Sequence, residues 1–281
     1  MKLIILGSGG CEAIPRPLCH CRNCEKSRDK GIPYTRTGPS LFLEDEAILF
    51  DTPEETRIQI EREKIQSIKH VFYTHWHPDH TQGLRIFEQI QSVYPEEQKP
   101  DPIKVYIPEN AYEEFMDRLP ALKYFEMMGF ISIVKTNDRL PIAFGPIIIT
   151  PIDFKRADRT RYGYLIEEKN KKVFYAPCSI FDWKVDGYYN NLDLLIMEKG
   201  WDGKTQLRET LPKNHYWHDH ASFEENILEI EKLQPKKVII THIDGSRHKT
   251  IDGDHDLLIK EVEKNPNLNI DVAFDGMKIE I

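Results

Sequence analysis

No segment of this 281-residue chain reaches the roughly 18 uninterrupted apolar residues that a membrane helix requires. The opening run, Met1-Lys2-Leu3-Ile4-Ile5-Leu6-Gly7, is too short for the apolar core of a signal peptide, so a cytoplasmic protein that leaves membranes alone is expected. Excess positive charge is also missing: 38 Lys and Arg stand against 46 Asp and Glu, a formal net charge of −8. That balance argues against general nucleic-acid binding, which leans on basic surfaces. Neither Gly-Lys-Ser/Thr nor G-x-G-x-x-G follows the turn Gly7-Ser8-Gly9-Gly10, which removes the usual nucleotide-binding signatures. An even cysteine count is absent too. There are five, and Cys19, Cys21 and Cys24 fall within six residues, a spacing that in a reducing compartment favours metal binding over disulfides.

What the chain does have is Tyr73-Thr74-His75-Trp76-His77-Pro78-Asp79-His80, three imidazoles and a carboxylate in six residues. Val71-Phe72-Tyr73 reads as a buried strand, and Thr81 to Arg85 as the entry to a helix, so the ligands sit on a strand-to-helix loop. His75 and His77 alternate at i and i+2, which turns both imidazoles to one side of an extended backbone. One ion on His75 and His77 and a second on Asp79 and His80 would be the pattern of a two-metal hydrolase.

The motif is repeated in outline elsewhere. A strand ends and a ligand-type residue stands at its tip at Asp51, His75, Asp153, Cys178 and His242, the edge on which α/β sheets build sites. Asp51 also reads as a helix cap before Pro53. Ser222 and Glu225 predict a capping box opening a helix over Phe223 to Leu233. Strands and helices alternating in two halves predict an α/β fold, a four-layer α-β-β-α sandwich. Between Cys11 and Ser40 the chain is poor in apolar residues and reads as an irregular excursion pinned by a metal. Cys19, Cys21 and Cys24 offer three thiolates to a structural zinc, with Cys11, His20 or His248 as fourth ligand. An iron–sulfur cluster using Cys11 and a set of reduced thiols are the alternatives.

Taken together these residues resemble the metallo-β-lactamase-fold hydrolases over nearly the whole length. His75-Trp76-His77-Pro78-Asp79-His80 is similar to that superfamily's H-x-H-x-D-H signature, Asp51 to its strand-end aspartate, and Thr241-His242 to its last ligand histidine. The glycine turn followed by C-x-C-x-x-C resembles the phosphodiesterases acting on phosphoribosyl 1,2-cyclic phosphate, and a branch related to pyrroloquinoline quinone biosynthesis shares that loop. The resemblance implies one domain over 1–281 with an inserted Cys-rich loop at about 11–40. It implies one or two divalent ions, zinc or manganese with iron as a further option, on His75, His77, Asp79, His80, His242, Asp153 and Cys178, with Asp51 behind them. Asp153 and Cys178 stand where the family has a histidine and a bridging aspartate, so either two ions on altered ligands or one tight ion fits. Gly245 stands where the cyclic phosphodiesterases place the fourth ligand of the loop zinc, which leaves that role to His248 or Cys11.

His220-Ala221-Ser222 resembles the His-x-Ser/Thr element of ribonuclease Z, which implies His220 as general acid beside catalytic Asp79. Arg156, Arg159 and Arg161 follow Asp153 and could hold a phosphate. The expected activity is hydrolysis of a small phosphodiester, cyclic or open, by a metal-activated water. A metal- or iron–sulfur-binding redox or accessory protein, and a thioester or lactone hydrolase, are the rivals. The expected partner is a small molecule, with a homodimer left open.

Overall fold

The computed structural model describes residues 1–93, 98, 100–155, 160–178, 180, 187–201, 220–245 and 253–281. His248, Arg156 and Arg159 lie outside the described residues.

In the N-terminal half, β1 (Lys2–Gly7) is followed by α1 (Arg22–Lys30), β2 (Ser40–Leu43), β3 (Ile48–Phe50), α2 (Thr56–Glu63) and β4 (His70–Phe72). Then come α3 (Pro78–Thr81), α4 (Ile86–Gln91), β5 (Ile103–Pro108), α5 (Tyr112–Arg118), α6 (Ala121–Met127) and β6 (Ile131–Thr136). The second half has β7 (Ile142–Phe144), β8 (Ile147–Asp153), β9 (Tyr162–Glu168), β10 (Lys171–Ala176), β11 (Leu194–Glu198), α7 (Phe223–Leu233), β12 (Val238–Thr241), α8 (His255–Val262), β13 (Ile270–Val272) and β14 (Met277–Glu280).

Among the described residues these strands form two seven-stranded sheets, ordered β14-β1-β2-β3-β4-β5-β6 and β13-β12-β11-β10-β9-β8-β7. Each sheet is antiparallel at one side and parallel at the other. Strands β3 to β6 run parallel in the first sheet, and β10 to β13 in the second. The strands are apolar on both faces because each sheet is covered twice. Successive residues point to opposite faces, so Phe50, Phe72, Ile196 and Ile239 enter the core between the sheets. Their neighbours Leu49 and Val71 meet an outer core with Phe87, Phe115 and Leu122. Leu195 and Ile240 meet the other outer core with Phe223, Ile230 and Leu258. Three apolar seams separate four layers, the expected α-β-β-α sandwich. Aromatic rings fill the middle seam: Phe72 stacks on Tyr106 at a centroid distance of 4.2 Å and meets Tyr164 edge-on at 5.3 Å.

Two readings of the sequence are revised. The stretch after Cys11 is not irregular throughout, because Cys21 caps a nine-residue helix, α1, whose Lys26 pairs with Asp254 and Asp256 at the start of α8. Asp51 does not cap the following helix, whose cap is Glu55. Its carboxylate turns to Thr74 and His80 instead. The capping box of Ser222 and Glu225 forms as expected.

Candidate active site

The parallel strands of both sheets end at one place. Asp51 follows β3, Thr74 and His75 follow β4, Cys178 follows β10, Glu198 ends β11 and His242 follows β12. A parallel bridge between Gly9 and Ile243 ties the end of β1 to the end of β12 across the sheets. Asp51 and His242 both carry a positive φ, 59° and 52°, which a residue with a side chain adopts at an energetic cost. Such strain concentrates where side-chain direction matters more than backbone comfort. At Gly10, an added Cβ would stand 2.5 Å from Asp244 Oδ1 and 2.7 Å from His242 Nδ1, so only glycine lets the backbone pass this close.

Asp51 is fully buried. One carboxylate oxygen accepts the Thr74 backbone N–H at 2.8 Å, and the other lies 2.8 Å from His80 Nδ1. With Nδ1 held, His80 presents Nε2 to the site, as an acid behind a metal-binding histidine does. His80 Nε2 lies 3.3 Å from His242 Nε2, and Asp79 Oδ2 lies 3.4 Å from each. A point equidistant from these three atoms is about 1.9 Å from each, close to the roughly 2.0–2.2 Å that zinc takes to nitrogen and carboxylate oxygen. Two imidazoles and a carboxylate, converging and shielded from bulk water, fit a divalent cation.

The charges agree with that. Burial works against ionising His80, yet the carboxylates of Asp79 and Asp51 push it up to about 10. Burial likewise opposes the Cys178 thiolate, and the neighbouring His242 and His220 overcome it and pull the thiol down to about 6. Desolvation opposes the charge on half-buried Asp79, yet His80 and His242 hold it below the usual carboxylate range.

Three ligand groups adjoin here, and Cys178 belongs to two of them. With His75 and His80 it forms one; Asp79, His80 and His242 form a second; and Cys178, Glu198 and His220 form a third, the donor atoms of each lying within 4.8 Å of one another. Glu198 was absent from the residues singled out in the sequence. It ends the Leu194–Glu198 strand, so the strand-tip rule that found Asp51 and Cys178 would have found it. Its buried carboxylate lies 2.6 Å from His220 Nδ1. Burial lowers His220, but Glu198 and then Cys178 raise it to about 9.

Two expected ligands are not members of these groups, although the His77 ring lies 4.6 Å from that of His75. His77 caps α3, and its Nε2 is 3.0 Å from Arg161 Nη2. Asp153 accepts from Asn110 Nδ2 at 3.0 Å and from the Lys155 backbone N–H at 2.8 Å. The sulfurs of Cys19, Cys21 and Cys24 lie within 4.8 Å of one another. Cys11 is not in that group. It lines a separate cavity of about 300 Å³ with Gly10, Glu12, Arg16, Glu55 and Asp79, which opens onto the site. His20 lies exposed against Glu25.

The family described as beta-lactamase superfamily domain matches residues 44–243. Octanoyltransferase of Porphyromonas gingivalis is 27% identical over 174 residues, covering 60% of this chain and 33% of that protein. Ribonuclease Z of Pyrococcus horikoshii is 27% identical over 176 residues, covering 61% and 50%. The chain thus spans a third to a half of the length of these curated relatives. A solved diphosphatase from the PhnP family superposes with a TM-score of 0.72 at 23% identity, covering 100% of this chain and 97% of that one, which shows a shared fold. No helix among the described residues is long and apolar enough to cross a membrane.

Proposed function

The chain belongs to the beta-lactamase superfamily domain family, a metallo-β-lactamase-fold hydrolase, and on that premise we propose that it is a metal-dependent phosphodiesterase acting on a small phosphodiester. The observation that carries this reading is the His220–Glu198 pair, an imidazole whose Nδ1 lies 2.6 Å from a buried carboxylate beside the ion-binding cluster, which favours its charged form. Ester and thioester hydrolysis with a good leaving group needs no such acid, whereas departure of an alkoxide from phosphorus does.

When bound, a divalent ion on Asp79, His80 and His242, beside the Cys178 thiolate, supplies Lewis-acid charge and an ionised water. The protein's own groups do the rest. Asp51 fixes the tautomer and direction of His80. Glu198 accepts from His220 Nδ1 and keeps the ring charged, which leaves the Nε2 proton for the departing oxygen. The cavity beside Asp79 is of the size that holds a small molecule, which favours a compact substrate over a folded polymer. The names ribonuclease Z and diphosphatase among similar proteins support phosphoester chemistry. Cys19, Cys21 and Cys24 are proposed to hold a separate structural zinc that pins α1.

The test is an assay of metal-loaded protein on cyclic nucleotides, aryl and alkyl phosphodiesters, thioesters and lactones, alongside His80→Gln. Phosphodiester turnover that His80→Gln abolishes is expected. Turnover of thioesters or lactones with none on any phosphodiester would overturn the reading.

A further inference from the structure

We infer that this site holds a single divalent ion, on Asp79, His80 and His242, and that the Arg161 guanidinium takes the place of a second ion beside His75 and His77. The inference rests on the proposed hydrolase chemistry only for what the guanidinium does to substrate; the ion count stands on the protein alone.

The backbone sets the arrangement. Tyr162, the first residue of β9, donates its N–H to Thr74 O, and Phe154 donates to Arg161 O. Arg161 is thereby fixed next to the loop that carries His75 and His77. Its side chain is almost fully buried, at 1% exposure. One guanidinium nitrogen, Nη1, donates to Thr160 O at 2.9 Å, and the other, Nη2, stands 3.0 Å from His77 Nε2.

An arginine side chain has donors and no acceptor, and it keeps its proton at any pH a protein survives. The direction of the Arg161–His77 contact is therefore fixed: His77 Nε2 accepts. The lone pair that His77 would give to a metal is already engaged. A cation placed here repels a second cation at the same place, and Asp153 does not supply a replacement ligand, being held by Asn110 and the Lys155 N–H. In the other group Asp79, His80 and His242 keep three donor atoms within 4.8 Å of one another.

A guanidinium next to the ion still offers positive charge to a phosphoryl group. Buried and held by Thr160 O and His77, Arg161 acts on the phosphodiesterase reading through its fixed charge rather than by contact, supplying part of the positive field that a second ion would bring to a phosphoryl group.

Counting bound zinc per chain by elemental analysis after metal equilibration and desalting tests this directly, using the full chain and the variants His77→Gln, His80→Gln, Arg161→Gln and Arg161→His. Any ion on the cysteine loop adds equally to every count, so the differences report the active site. His77→Gln is expected to keep the wild-type count, His80→Gln to lose one ion, and the Arg161 variants to gain one. Loss of an ion in His77→Gln would overturn the inference, as would wild-type counts in both Arg161 variants with unfolding temperatures near wild type. None of these counts depends on whether a phosphodiester is hydrolysed, so failure of the activity assay and failure of this inference are distinguishable.

Discussion

If Glu198 keeps His220 charged so that it can protonate a leaving group, Glu198→Gln should give a loss that grows with pH. His220 is raised to about 9 by Glu198 and Cys178 against the opposing effect of burial. At pH 8 a group with that value is about 90% protonated, whereas one returned to roughly 6.5 is about 3% protonated, a ratio of about 30. At pH 6 the same two values give about 100% and 76%, a ratio near 1.3. The thirtyfold figure is an upper bound, since a more acidic imidazolium donates more readily.

The assay is kcat/KM on an alkyl phosphodiester from pH 6 to 9.5 for the wild type, Glu198→Gln and His220→Gln. The wild type should fall only as pH rises through about 9, and Glu198→Gln should fall much earlier. His220→Gln should lose on the order of 100- to 10,000-fold, with no alkaline limb of its own. A 4-nitrophenyl ester leaves without a proton and should lose far less. Equal losses on alkyl and nitrophenyl substrates would refute a proton-donating His220. The same shift acts on stability with a defined sign. A histidine raised on folding contributes most below its unfolded value and loses that contribution as pH climbs through about 9.

Other outcomes follow from particular contacts. Asp51→Asn should weaken zinc affinity about 10- to 100-fold by releasing His80, measured by competition with a chromophoric chelator. Gly10→Ala should displace His242, because its new Cβ would meet His242 Nδ1 and Asp244 Oδ1, and the variant should fold but bind one ion fewer. Cys24→Ser should remove the cysteine-loop ion and lower the thermal midpoint while leaving the active-site ion in place, read by elemental analysis and calorimetry. His255, whose Nδ1 faces Arg36, is lowered to about 4 by burial and Arg36. A histidine depressed on folding opposes the fold when it must charge, so its contribution should fade as pH drops from roughly 6.5 toward 4 in an unfolding titration.

Much of this molecule was written in the local sequence. Runs such as Val71-Phe72-Tyr73 and Leu194-Leu195-Ile196 are apolar at every position, which only a strand covered on both faces tolerates, and so the layered sandwich could be expected. The density of ligands from His75 to His80 marked the site without any partner residue. Capping at Ser222 was legible for the same reason, since a cap and its reciprocal carboxylate are three residues apart. Helix α1 was missed because its residues, Arg22 to Lys30, are mostly polar; its buried residues are Cys24 and Ser27, and its support comes from contacts to Asp254 and Asp256 far along the chain.

What sequence alone decided is the identity of the donors: imidazole, carboxylate and thiol are fixed by residue type, and their placement at strand ends follows from hydrophobic pattern. Which donors meet was settled by tertiary structure. Asp51 reads equally well as a helix cap, and only the register of β3 beside β4 delivers it to Thr74 and His80. Glu198 becomes part of the site because β11 lies between β10 and β12, which brings it between Cys178 and His242. The chain separates His77 from Arg161 by 84 residues. Local pattern carries no information about that distance, yet the hydrogen bond between them determines whether His77 has a lone pair left for a metal.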